Sequence, residues 1–272
     1  MNTPTHRGRA RRLVRQLRER DLGLLAVLHQ LRLMSGAQLE RLFDQDHPTG
    51  TRARRARRRL QRLHELGLVV RLDRRIGGRR AGSSGYVYGL SGLGQAVLAV
   101  PGLYGRRRRV WETSPHFQDH VLAVAELHVA LREREHHGEL ELLTFQTEPP
   151  CWRTFTAAGG ASVTLKPDAY IEVGVGDLAL SAFVEIDMAT EALPTIERKC
   201  HVYVDYWRSG HEQQQHGVFP RVLWLVPDER RRQRLATLLD RLPDETHVLF
   251  TVGLQTEGAW LLMQPPAPET QP

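Results

Sequence analysis

The sequence predicts an α+β chain built in two parts, with three helices and a β-hairpin in roughly the first hundred residues and then an α/β domain with a mixed sheet. Three observations predict this. Helical leucine periodicity over 21–66 gives way to two short β-rich runs, strand-like and helix-like segments alternate from 116 onward, and charge divides between the parts. Residues 1–110 hold 25 arginines against 7 acidic residues, a surplus of 18, whereas the remainder holds 13 basic against 24 acidic residues, a deficit of 11. At 272 residues the chain has room for two domains, each with its own core. No run approaches the roughly 20 apolar residues that span a bilayer. Residues 1–20 are polar and basic with no apolar segment before a cleavage site, so a cytoplasmic protein without membrane attachment is expected. Cys151 and Cys200 lie far apart and outside any CxxC pair, and they read as small buried hydrophobes.

In the first helix, 21–34, Leu24, Leu25, Val27, Leu28 and Leu31 recur at helical spacing. Ser35 is placed to cap a second helix, 36–43, with Leu39, Leu42 and Phe43 on one side. The loop 44–50, containing Pro48, leads to a third helix, 51–66, closed by Gly67. There Ala53, Ala56, Leu60 and Leu63 form the core stripe, and Arg52, Arg54, Arg55, Arg57, Arg58, Arg59 and Arg62 cover most of the rest. The runs 68–72 and 85–90 read as hairpin strands, joined by a glycine-rich loop, 73–84, that carries Arg74, Arg75, Arg79 and Arg80; a short helix, 91–99, follows. Helix-turn-helix spacing followed by a basic hairpin is the pattern of a winged helix-turn-helix over residues 1–100. Positive charge of this density concentrates polyanions, and arginine forks match guanine edges and phosphates. Double-stranded DNA is therefore the expected partner, bound by Arg52, Arg54, Arg55, Arg58, Arg59 and Arg62 of the helix and by the four loop arginines. A solvated basic face is the alternative. Residues 101–115, with the run Arg106 to Arg109, read as a linker.

The second part, 116–263, opens with a long helix, 116–135, whose apolar side carries Val121, Val124, Ala125, Leu127 and Leu131 and whose acidic residues include Glu126. A strand follows at 140–147. The most informative segments are 162–173 and 178–187, joined by the turn 174–177. Alternation places Lys166, Asp168, Tyr170 and Glu172 on one face of the first, and Ser181, Phe183, Glu185 and Asp187 on one face of the second. A hairpin centred near Val175 and Gly176 sets Asp168 opposite Phe183 and Lys166 opposite Glu185, so that Lys166, Asp168, Glu185 and Asp187 converge. Clustered carboxylates are the hard ligands that magnesium (Mg2+) or manganese (Mn2+) takes beside a phosphodiester, and a cation relieves their repulsion. A charged, solvent-facing sheet edge is the alternative. Among 38 basic residues only Lys166 and Lys199 are lysines, and both fall near this cluster. A compact ammonium suits the positioning of water or the stabilisation of a pentavalent phosphate. The helix 194–207 buries Ile196, Cys200 and Trp207 and sets Lys199 and Tyr203 one turn apart. A strand at 221–227, a helix capped by Asp228 and running to 239, and a strand at 247–252 complete a mixed sheet flanked by helices. The tail from 264 is expected to be disordered. Thirteen histidines show neither HxH nor HExxH spacing.

The order winged helix, linker, Pro167-Asp168, Glu185-Ile186-Asp187 and a helix with Lys199 and Tyr203 resembles the replication-relaxation family of bacterial plasmid and mobile-element proteins over most of the chain. The resemblance implies a part in plasmid replication and DNA relaxation, and a second domain similar to the PD-(D/E)XK nuclease fold, that is, a restriction-endonuclease-like domain. Carried over by position, Asp168 matches the metal-binding aspartate, Glu185 the second acidic ligand, and Glu126 the acidic residue of the first helix. Asp187 stands where an active nuclease usually carries lysine, so either Lys199 of the following helix stands in or the site is inactive; a surface lysine paired with Glu197 or Asp187 is the alternative. The expected site is Asp168, Glu185, Asp187 and Lys199 for catalysis, and Asp168, Glu185, Asp187 and Glu126 for Mg2+ or Mn2+, with Lys166 and Tyr203 beside them. Two functions follow: a DNA-binding replication or mobilisation factor that nicks or cleaves DNA, or a regulator or accessory factor whose inactive second domain serves protein contacts. Replication or mobilisation proteins are the expected partners, and a homodimer is compatible with both. No phosphate-binding glycine loop supports a third function, on a small phosphorylated metabolite.

Overall fold

The computed structural model describes residues 6–72, 85–100 and 115–265. The loop arginines Arg74, Arg75, Arg79 and Arg80, the run Arg106 to Arg109 and the tail beyond Pro265 lie outside the described residues. The chain forms two compact units, Met1–Val129 and Ala130–Pro272. Its architecture is mixed α+β with an open mixed sheet.

The first unit begins with α1 (His6–Val14), α2 (Glu19–Leu31), β1 (Leu33–Ser35), α3 (Gly36–Asp44) and α4 (Thr49–Glu65). It continues through β2 (Val69–Leu72), β3 (Val87–Leu90) and α5 (Gly92–Ala99) into the first turns of α6 (Pro115–His136), within which the boundary between the units falls. Leu24, Leu25 and Leu28 of α2, Leu39 of α3, and Ala56, Leu60 and Leu63 of α4 are buried, as the leucine periodicity requires. Ser35 caps α3 reciprocally: its Oγ accepts from the Gln38 N–H at 3.2 Å, and Gln38 Oε1 accepts from the Ser35 N–H at 2.9 Å. The first helix ends earlier than expected. Arg32 takes φ +68°, which breaks the helix, and Leu33 to Ser35 then pair antiparallel with Val87 to Gly89 in a sheet of order β1-β3-β2. Gly94 on α5 lies so close to the Leu68 carbonyl that a Cβ would meet that oxygen at 2.2 Å.

The second unit holds β4 (Glu141–Thr147), the small antiparallel pair β5 (Arg153–Thr156) and β6 (Ser162–Leu165), β7 (Ala169–Val175) and β8 (Leu178–Ile186). These are followed by α7 (Leu193–Arg208), α8 (His211–His216), β9 (Arg221–Val226), α9 (Glu229–Leu239), β10 (Phe250–Leu254) and α10 (Gly258–Leu262). The main sheet has the order β10-β9-β8-β7-β4, with antiparallel pairing from β4 to β8 and parallel pairing from β8 to β10. The single strand expected over 162–173 is two strands in different sheets, broken at Lys166-Pro167-Asp168. The start of the expected strand at 247–252 is a 3-10 turn, Asp244–Leu249. Tyr170 and Phe183, on the sheet face expected to be polar, join Val222 and Trp224 against Ile196, Cys200, Tyr203 and Tyr206 of α7 and Leu235 and Leu238 of α9. That face is core, so the charged residues sharing it are either buried with partners or displaced to its margin.

Candidate functional site

Both parts of the expected site are built from residues whose partners decide their role. On α4 the arginines divide into two sets. Asp44, with no exposed surface, accepts from Arg59 at 3.0 and 3.1 Å and lies 3.6 Å from Arg55. Asp21, 2% exposed, is paired with Arg62, and Glu40 with Arg52 at 3.3 Å. Asp21 lies on α2 and Glu40 and Asp44 on α3, so these guanidinium groups fasten three helices together. Arg54, Arg57 and Arg58 are exposed and have no carboxylate partner among the described residues; Arg57 Nε donates only to the Ala53 carbonyl one turn back, at 3.2 Å. At spacings of three and four residues, they form one outward face. Arg57, absent from the expected DNA-binding set, belongs to this face, whereas Arg52, Arg59 and Arg62 are committed to holding the helices. Sequence spacing marks all seven as outward and cannot say which have acids waiting on α2 and α3.

In the second unit α7 and the β7–β8 hairpin position the centre. The hairpin turns at Gly176-Asp177, where Gly176 takes φ +57°, one residue later than expected. Partners therefore shift by two, which preserves faces; Tyr170 takes the place opposite Phe183, and the ladder ends at Ala169 and Val184, one residue beyond Asp168. The Asp168 N–H donates to the Val184 carbonyl at 3.1 Å, and its Oδ2 accepts from the Ile186 N–H at 2.7 Å, so this aspartate brackets Glu185. Glu185 is 1% exposed. Its Oε2 accepts from Lys199 Nζ, and its Oε1 accepts from the Tyr203 hydroxyl at 2.6 Å. Burial pushes the Glu185 carboxyl up to about 7, with Lys199 opposing the rise and Asp168 adding to it. Burial works against the Lys199 ammonium, but Glu185 and Asp168 more than offset it and hold its pKa above the ordinary value. The Tyr203 phenol is raised well above its ordinary value by burial and by the adjoining Glu185.

Three expected members of the site are placed elsewhere. Asp187, 5% exposed, is held by the Arg231 guanidinium of α9, with an Nη2 to Oδ1 distance of 3.2 Å, and by the Ala189 N–H at 2.9 Å. Arg231 Nη2 also donates to the Glu191 carbonyl at 2.8 Å. This is a closed structural ion pair that ties the end of β8 to the first turn of α9, because a buried carboxylate needs its counter-charge. Glu126 is taken up in the first unit, where its carboxylate accepts from Gln38 Nε2 at 3.0 Å and pairs with Arg41. Lys166 is exposed and lies over the Trp152 ring at 4.8 Å, outside the β7–β8 ladder and away from the Glu185 partners Lys199 and Tyr203. Both Glu185 oxygens and both Asp187 oxygens are engaged by protein donors, so Mg2+ or Mn2+ at these carboxylates would have to displace Lys199, Tyr203 or Arg231. No group of three or more His, Cys, Asp or Glu among the described residues could hold a metal ion.

Sequence reasoning missed a further buried carboxylate. Glu212, with no exposed surface, accepts from the Tyr206 hydroxyl and from Arg153 Nε at 3.3 Å. Arg153 in turn lies over the rings of Tyr170 at 4.8 Å and Phe183 at 5.4 Å. Nothing in the local pattern of α8 distinguishes Glu212 from a solvated acid. Burial pushes the thiols of Cys151 and Cys200 up to about 12, so both are inert, small apolar residues of the core. No helix among the described residues is long and apolar enough to cross a membrane. A family model described as Replication-relaxation matches residues 25–222, from α2 through the start of β9 and well over half of the chain. No curated protein matches, and no solved structure matches.

Proposed function

The chain belongs to the replication-relaxation family, and from that premise we propose that it is a DNA-binding factor of plasmid or mobile-element replication or relaxation. Its first unit is a winged helix that lays α4 against the duplex. The observation that carries this reading is the outward face of Arg54, Arg57 and Arg58, charged and unneutralised on a helix whose other arginines are satisfied by Asp21, Glu40 and Asp44. Such a face releases condensed counterions when it meets phosphates and carries forks suited to guanine edges. The second unit is a PD-(D/E)XK-like domain used for contacts with replication or mobilisation proteins. Its Glu185 is already neutralised by Lys199, and its Asp187 by Arg231. A second reading, metal-dependent nicking, is favoured by one arrangement: Asp168, Glu185 and Lys199 stand together, with the lysine supplied from α7.

Incubation with supercoiled plasmid in Mg2+ or Mn2+, alongside duplex-binding measurements, separates the two. Tight duplex binding without nicking is the expected result. Nicking that disappears in both Asp168→Ala and Glu185→Ala establishes the second reading instead. Failure to bind any duplex overturns both.

A further inference from the structure

A short helix precedes the expected DNA-binding elements. Periodicity in 6–14 is too sparse to reveal it, since Ala10 and Leu13 are its buried apolar residues. Those two side chains seat α1 against the first unit, and Arg9 Nη2 donates to the Leu66 carbonyl at the C-terminal end of α4, at 3.3 Å. A guanidinium there satisfies a carbonyl that the helix leaves unpaired and complements the negative end of its dipole. Three neighbouring arginines are different. Arg11 and Arg12 of α1 and Arg15 of the turn that follows it are exposed, have no carboxylate partner among the described residues, and stand close together in sequence, where like charges repel. No acid occurs before Glu19. The arginines that fasten α4 each have an acid within reach, whereas this cluster is held together despite its own repulsion. A fold that tolerates such a patch on a docked helix gains most when an external polyanion neutralises it.

We propose that α1 is a second phosphate-binding element, in which Arg11, Arg12 and Arg15 grip the backbone of the same duplex that α4 engages, on the flank nearest the C-terminal end of α4. This rests on the DNA-binding reading above. Leu66 lies eight residues beyond Arg58, about 12 Å along a helix that rises 1.5 Å per residue. At 3.4 Å per nucleotide on each strand, that offset corresponds to roughly three to four nucleotides. The α1 cluster thus lengthens the basic track instead of duplicating the α4 contact. Contacts of this kind are to phosphate, so they add affinity without sequence preference.

The test is fluorescence anisotropy of the full chain on labelled duplexes over a range of salt. We compare wild type with the triple variant Arg11→Ala, Arg12→Ala, Arg15→Ala and with the corresponding triple lysine variant. Alanine sustains the helix, and unchanged thermal unfolding confirms that α1 remains docked. The alanine variant is expected to lower the slope of log K against log salt by about 2 to 3, at roughly 0.9 for each phosphate contact. It leaves the ranking of duplex sequences unchanged, and the lysine variant restores the slope. Wild type that binds with a slope equal to that of the alanine variant overturns the α1 contact and leaves the α4 reading standing. If α1 instead serves an acidic protein, that same equality is the outcome. Wild type that binds no duplex overturns both.

Discussion

Replacing Lys199 of α7 by methionine removes the counter-charge of Glu185 while keeping most of the apolar stem. Glu185 is 1% exposed and retains only the Tyr203 hydroxyl, so at high pH the variant must bury an unpaired carboxylate. Breaking a buried pair from one side costs about 3–5 kcal/mol. The Lys199 side chain keeps 30% of its exposure, which screens the pair and places the expected loss at the lower end, about 3 kcal/mol. For a unit of this size that corresponds to a fall in Tm of roughly 6–12 °C. The loss depends on pH. The Glu185 carboxyl titrates near 7 in the wild-type fold and higher still without the lysine, so at pH 5.5 it holds its proton in both proteins and the penalty largely disappears. The assay is thermal and urea unfolding at pH 5.5 and pH 9. The double variant Lys199→Met, Glu185→Gln serves as control and should recover most of the loss at pH 9, because no buried charge is left. A penalty equal at both pH values, or below about 0.5 kcal/mol at pH 9, refutes the reasoning.

Wild-type stability should carry the signature of the same carboxyl. Its folded pKa is raised from the ordinary 4.5 to about 7, so between those values the folded chain holds a proton that the unfolded chain has released, and its contribution to stability falls as pH rises through that window. Glu185→Gln should flatten this fall in urea titrations, and an unaltered profile contradicts the assignment. Asp187→Asn should destabilise by about 3–5 kcal/mol at neutral pH, since it strands the buried Arg231 guanidinium, 7% exposed; a loss below about 1 kcal/mol would return Asp187 to the pool of candidate ligands. Gly94→Ala forces a Cβ to within 2.2 Å of the Leu68 carbonyl, so α5 must shift, and a lower unfolding midpoint is expected despite the better helix propensity of alanine. Unchanged or raised stability on denaturant unfolding is the adverse result.

Helical leucine spacing located α2, α3 and α4, because one apolar stripe per helix suffices to bury each against the others. The break at Arg32 was hidden because Leu33 and Met34 prolong the apolar run, and only the pairing with β3 converts them to a strand. Side-chain faces on β7 and β8 were legible although the turn was misplaced by one residue, since the partner shift is even. Their environment was not legible: alternation cannot reveal that α7 covers the face bearing Glu185, although Tyr170 and Phe183 on that face signal it. Alternation put Asp168 and Glu185 on one face, and only the family resemblance pointed to Lys199 beside them. The sequence pattern could not assign Asp187 to Arg231, 44 residues away, or Glu126 to Gln38, 88 residues away, because those pairings depend on how helices dock. The same limit hid the division of the α4 arginines, which rests on acids contributed by α2 and α3.

That division is the centre of the functional account, and salt-dependent duplex binding by α4 variants tests it most directly. The triple variant Arg54→Ala, Arg57→Ala, Arg58→Ala should unfold like wild type, bind duplex DNA far more weakly, and lower the slope of log K against log salt by about 2 to 3. Arg59→Ala, by leaving the buried Asp44 with only the longer Arg55 contact at 3.6 Å, should instead lower stability by about 2–3 kcal/mol while leaving that slope nearly intact. A triple variant that binds as tightly as wild type, with the same slope, contradicts the assignment of α4 as the DNA-contacting helix.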